Sequence, residues 1–159
     1  MDLTGLLAAG GVLAAASAFG IWRKRTDGTV RELVPTGPDV DRLTPADLGA
    51  DASRSAGTGS GEGPVGLHPR ATLVQFSSKV CQYCGPTRRL LSELADRHAV
   101  PFVEVDAEER LDLARRLSVL RTPTVLLLDG DGRITHRVSG PPRRAELAAA
   151  ISRLTSDQA

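Results

Sequence analysis

Apolar and polar positions fall into three regimes along this chain. From Leu3 to Trp22 the run LTGLLAAGGVLAAASAFGIW holds no charged residue and shows no polar face. At about 1.5 Å of rise per residue, a helix of this length covers the roughly 30 Å hydrocarbon core of a bilayer. A single transmembrane helix is therefore expected from Leu3 to Trp22, with Trp22 where an interfacial aromatic belongs. From Thr26 to about His68 the residues turn to Gly, Pro, Asp, Ser and Thr and end in SRSAGTGSGEGPVG. Such a segment offers too little apolar surface to offset its ordering entropy, so a flexible linker is expected. About 40 residues of coil reach roughly 35 Å. Within it RLTPADLG, Arg42 to Gly49, fits a helical turn with Thr44 as cap and Pro45 first.

After Pro69 the pattern becomes regular. ATLVQF (Ala71 to Phe76) reads as a buried strand, and TRRLLSELADRHA (Thr87 to Ala99) places Leu90, Leu91, Leu94 and Ala95 at helical spacing. PFVEVDA (Pro101 to Ala107) is a strand, EERLDLARRLSV (Glu108 to Val119) a helix, and TVLLLD (Thr124 to Asp129) a strand. Gly130-Asp131-Gly132 turns the chain into a hairpin partner, RITHRV, and RRAELAAAISRL (Arg143 to Leu154) closes as a helix. The order βαβαββα predicts an α/β fold: a mixed sheet flanked by helices, part parallel, with an antiparallel hairpin edge. The chain divides into three units: 1–25 as anchor with basic flank, 26–68 as linker, and 69–159 as the domain.

Charge changes the picture only at the anchor. The positive residues Arg23-Lys24-Arg25 follow the apolar run, and cytoplasmic flanks carry the excess of Lys and Arg, so the domain is expected in the cytoplasm, with an extracytoplasmic domain as the alternative. Ala16-Ser17-Ala18 has the small residues of a signal-peptide cleavage site, but the Met1-Asp2 head lacks the positive start of one. A buried core helix is disfavoured by the missing polar face. A net charge of +1 with mixed signs along the chain leaves no basic footprint for nucleic acid.

The chemistry resides in SSKVCQYCGPTRRLL, which contains both cysteines of the chain. Two are too few for a disulfide-stapled scaffold. Cys81 falls just past the first strand of the domain, at the entry to a helix, where ligands collect in open α/β sheets. Unpaired N–H groups at a helix start favour a thiolate there, and the thiolate is the nucleophile. Two intervening residues let the sulfurs meet, with Cys84 one turn in and shielded. Cys81 would attack and Cys84 would resolve the mixed disulfide. Pro86 suits a helix start, where no N–H is needed. A metal site would need two more ligands, and His68, His98 and His136 lack the close pair of a zinc finger. A purely structural bridge over two residues would constrain the unfolded chain very little.

With Cys81-Gln82-Tyr83-Cys84 at a strand-to-helix junction, Thr122-Pro123-Thr124 opening a later strand, and a hairpin and helix after that, Ala71 to Leu154 resembles the thioredoxin family. The resemblance implies a cis Thr122-Pro123 bond facing the cysteines, with the Thr122 backbone free to pair with an extended substrate and Pro123 packed over the sulfurs. It also implies that Gly140 borders the substrate groove. Gln82 and Tyr83 join Thr122, Pro123 and Gly140 as expected substrate contacts, Tyr83 either as a contacting ring or as packing. The family's buried acid aligns with Gln75 and its lysine partner with Phe102, so no buried carboxylate would take the proton of Cys84.

The expected protein is a membrane-tethered thiol-disulfide oxidoreductase acting on protein disulfides or oxidised cysteines. A reductase or a membrane carrier would supply its electrons, and no organic cofactor or metal is implied. The alternative is a non-catalytic adaptor, or redox-regulated binding module, at the membrane. Arg88, Arg89 and Lys79 are read as solvated charges more than as aids to Cys81, and His136 as a surface residue.

Overall fold

In the computed structural model the described residues are 3–26, 28–33, 42–48, 67 and 70–156. The regular elements are α1 (Leu3–Thr26), β1 (Arg31–Glu32), β2 (Thr72–Ser77), α2 (Cys84–His98), β3 (Phe102–Asp106), α3 (Leu111–Arg116), β4 (Thr124–Leu128), β5 (Ile134–Ser139) and α4 (Arg144–Ser156). Five strands form one sheet in the order β1-β5-β4-β2-β3, with β2 and β3 parallel and the remaining pairs antiparallel. This is the mixed sheet that the alternation of elements predicts. Strand β2 has neighbours on both sides and cover on both faces, and all six of its residues are buried. That setting explains why the strand carries apolar side chains on both faces, Leu73 on one and Val74 and Phe76 on the other.

Side chains alternate across β2. Val74 and Phe76 face one core with Val103, Val105, Leu113, Ala114 and Leu117, which is the side of α3. Leu73 faces the other core with Leu91, Leu94, Val125, Leu127, Leu147 and Ile151, the side of α2 and α4. Helix α2 ends at Ala99, whose left-handed φ of 51° lets Val100 N donate to Ala95 O. Helix α3 is shorter than the expected Glu108 to Val119. The Asp106 carboxylate accepts from Glu108 N and Glu109 N in a turn before it, and Ser118 at φ 51° ends it.

The stretch read as a linker contains two packed pieces, and they revise the expected edge of the sheet. Strand β1 pairs with β5, so the edge beside the hairpin is β1 and not the hairpin itself. Residues 45–48 form the helical turn that Thr44 and Pro45 predict, and the turn is docked. Thr44 N donates to Asp47 Oδ2 at 2.8 Å and Asp47 N to Thr44 Oγ1 at 3.3 Å, a reciprocal cap. Leu43 and Leu48 are fully buried in the α3-side core, and Arg116 pairs with Asp47 at 2.7 Å. Gly132 makes the docking possible: it has φ +78°, its O accepts from Leu43 N, and a Cβ there would lie 2.2 Å from Leu43 O. The remainder of the expected linker, and the Gly66 to Pro69 boundary apart from Leu67, fall outside the described residues.

A helix does form over the expected apolar run, and Val12, Leu13, Phe19, Ile21 and Trp22 on it are exposed. Among the described residues no helix is long and apolar enough to cross a membrane, so the expectation of a span from Leu3 to Trp22 gains no support from the fold. The side chains of Arg23, Lys24 and Arg25 lie outside the described residues.

Candidate active site

Cys81 and Cys84 are joined in a disulfide with Cα atoms 5.5 Å apart. Strand β2 delivers the chain to Ser78, a turn closes with Cys81 N donating to Ser78 O, and Cys84 N donates back to Cys81 O. Helix α2 begins at Cys84, three residues earlier than the apolar spacing predicts, because that spacing marks only the face that packs deeper in the core. Pro86 therefore sits third in the helix, still among the first turn's N–H groups that lack intrahelical acceptors. The two sulfur-bearing residues are unequal in access, as expected: Cys81 is half-buried, whereas Cys84 is 3% exposed.

The second wall is the loop before β4. The Thr122-Pro123 bond is cis, as the resemblance implies. Ser78 Oγ and Thr122 Oγ1 are 3.1 Å apart in a hydrogen bond that ties this loop to the turn leading into Cys81. Gly140 N donates to Pro123 O at 2.8 Å, and Arg121 Nη2 donates to Ser139 O at 2.9 Å, so the end of β5 holds the loop from the other side. Pro123 and Gly140 are buried, Thr122 is half-buried, and Gln82 and Tyr83 are exposed. Six of the seven residues expected at the site thus lie on the turn and the loops at one end of the sheet, and Cys84 opens α2 beside them.

Several residues here carry no motif. Val80 is 89% exposed and Leu120 is 93% exposed, and with Tyr83 they leave three apolar side chains in solvent on the segments that flank the cysteines and the cis proline. Exposure of a large apolar residue next to a reactive pair is the feature that periodicity alone misses. On the buried side, Gln75 Nε2 donates to Cys84 O at 3.1 Å and lies 3.5 Å from Glu104 Oε1. Register predicts this neighbour, since Gln75 and Glu104 are paired across β2 and β3. Arg88, read as a solvated charge, is exposed and also pairs with Glu104 at 2.6 Å.

The thioredoxin family model matches residues 66–153. The chain belongs to the thioredoxin family. It is 31% identical over 87 residues to thioredoxin M3, chloroplastic, of Oryza sativa subsp. japonica, covering 54% of this chain and 49% of that protein. It is 36% identical over 59 residues to NADPH-dependent thioredoxin reductase 3 of Arabidopsis thaliana, covering 36% of this chain and 11% of that protein. The chain thus spans 49% and 11% of the lengths of these two relatives. Among solved structures, a point-mutant thioredoxin from Halobacterium salinarum NRC-1 superposes with a TM-score of 0.51 at 24% identity, over 54% of this chain and 75% of that one, a likeness of fold.

One residue within β5 differs from expectation. His136 is buried, not at the surface, because it is paired with Leu127 on β4 and with Glu32 of β1, the strand the sequence did not reveal. Burial pushes its pKa below the usual 6.5, with Arg153 acting in the same direction and Glu32 against it. No group of three or more metal-ligating side chains occurs among the described residues.

Proposed function

We propose that this chain is a thiol-disulfide oxidoreductase acting on protein disulfides or oxidised cysteines. The Cys81–Cys84 disulfide at the mouth of α2, walled by a cis proline loop that is hydrogen-bonded to the cysteine turn, carries this reading. In the reducing direction, the Cys81 thiolate attacks a partner disulfide and one partner sulfur leaves as a thiolate. Cys84, once deprotonated, attacks Cys81 Sγ, releases the second partner thiol, and closes the disulfide seen here. Two electrons pass to the partner, so a reductase or a membrane carrier must return two to this chain. Cys81 is the accessible member and Cys84 the shielded one, which supports that order of attack.

The Thr122-Pro123 loop serves as the platform for an extended partner segment, bordered by Gln82, Tyr83 and Gly140, and Val80 and Leu120 offer it apolar contact. Helix α1 acts as the membrane tether, a reading supported by its uncharged sequence from Leu3 to Trp22 and by its exposed apolar side chains. Gly28, two residues past α1, donates to Ser139 O beside Gly140. A tether leaving the domain at that point keeps the substrate loop close to the membrane surface. The Arg23-Lys24-Arg25 flank favours a cytoplasmic domain.

Reduction of insulin by the full chain, with dithiothreitol as electron source, tests the activity. Acceleration that disappears in Cys81→Ser supports it, and no acceleration favours the adaptor. Labelling of intact cells with a membrane-impermeant maleimide after a permeant reductant tests the orientation: protection until lysis supports a cytoplasmic domain, and labelling contradicts it.

A further inference from the structure

Gln75 sits in the centre of the sheet, fully buried, against the first residue of α2. Its Nε2 lies between two acceptors, Cys84 O at 3.1 Å and Glu104 Oε1 at 3.5 Å. Turning the amide over would set its oxygen against both, so these neighbours fix the nitrogen toward them and Oε1 away. That oxygen is buried and has no hydrogen-bond partner, the one side-chain atom so placed among the described residues. A buried acceptor left unmet bears its whole desolvation penalty, and a native structure keeps such a group for a reason. The residue whose carbonyl the amide already holds is Cys84, and its sulfur, locked in the disulfide, carries no hydrogen.

We propose that Gln75 is a redox-dependent partner of Cys84, whose Oε1 accepts the S–H of the reduced thiol. This rests on the disulfide-exchange reading of the site. Reduction by a dithiol breaks the Cys81–Cys84 bond, takes two electrons and two protons from the reductant, and leaves the reductant as a disulfide. The proton that arrives on Cys84 Sγ becomes the donor Oε1 lacks. Oxidation removes it again, so the amide stabilises the dithiol relative to the disulfide. The bond also holds Cys84 neutral, and a neutral thiol is a poor nucleophile. Resolution of a mixed disulfide with Cys81 is then slowed, and complexes with partners persist longer. Gln75 acts here as a positioning residue, through Cys84.

Gln75→Met keeps the length of the side chain and removes both amide atoms. In glutathione redox buffers, the full chain carrying this change is expected to shift its dithiol-disulfide equilibrium toward the disulfide by about five-fold, the scale of one modest hydrogen bond. If the amide only braces Cys84 O, the loss is common to both redox states and the equilibrium stays where it was, which overturns the proposal. The S–H stretch in Raman spectra gives a second readout that needs no change at position 75. In reduced Cys81→Ser, where Cys84 is the sole thiol, the band is expected below the frequency of a free thiol. A free-thiol frequency there contradicts the proposal even if the Gln75→Met chain does not fold. A lowered band in a chain that fails to reduce insulin would remove the proposed activity and leave the Gln75–Cys84 bond standing.

Discussion

The two faces of the sheet are covered by different means. On one, α2 and α4 supply Leu91, Leu94, Leu147 and Ile151 from long helices. That face also carries the chemistry, because Gln75 and the start of α2 meet on it. On the other, the six-residue α3 leaves room, and the gap is filled by Leu43 and Leu48 from a segment of polar, Gly- and Pro-rich chain. The same sheet thus rests on one cover that is regular and local in sequence, and on another that arrives from upstream, across residues outside the described set. The consequence is a separation of duties: changes on the first face should move the redox couple, and changes on the second should move stability alone.

The largest expected effect is on the chemical face. Cys81→Ser should abolish insulin reduction, since a serine hydroxyl is not ionised near neutral pH, while thermal unfolding of the reduced protein stays unchanged. Next comes Leu43→Ala. Truncating a fully buried leucine costs about 3 kcal/mol, read by urea unfolding, and the glutathione redox equilibrium should not move. A shift in that equilibrium would break the separation of the two faces. Leu120→Ser should leave both stability and the redox equilibrium intact and raise the KM for a protein substrate about five-fold, from loss of roughly 1 kcal/mol of apolar contact.

The smallest effects are in pH, from titrating groups that lie on opposite faces. His136 has its pKa depressed by burial, so above 6.5 it is neutral folded or unfolded and its contribution to stability is complete. As pH falls below 6.5 the unfolded chain binds the proton first, and stability declines until the folded value is passed. His136→Gln should flatten that decline. Asp47 on the docked turn is also depressed: burial pushes its carboxyl up, but hydrogen bonds from Thr44 and the pairing with Arg116 outweigh it. Its contribution is present above the usual 3.8 and is lost as pH falls through the folded value, so Asp47→Asn should lower stability above that range and flatten its fall in acid.

Much of the fold was legible from periodicity. Helices with a buried stripe such as Leu91, Leu94 and Ala95, and strands bounded by Gly and Pro, stand out locally. Register is likewise partly readable, since Asp129 and Gly132 fix the hairpin turn. The docked turn was not legible as packing. Thr44, Pro45 and Asp47 announce a turn, but two leucines in a polar segment do not say which core receives them, and Gly132 shows its purpose only once Leu43 lies against it. Strand β1 has two residues and no alternating pattern, so its pairing, and with it the burial of His136, comes from tertiary contact alone. At the site the cysteines, the cis proline and Gly140 are marked by motif. Ser78, Arg121, Leu120 and Glu104 are brought there by the sheet, with no local pattern to mark them.

That Cys81 attacks and Cys84 resolves can be read in the full reduced chain carrying Cys84→Ser, incubated with insulin and analysed by peptide mass. A stable mixed disulfide between insulin and Cys81 is expected, with none formed on Cys84 in the matching Cys81→Ser chain. Equal trapping by both variants, or by neither, would contradict the account.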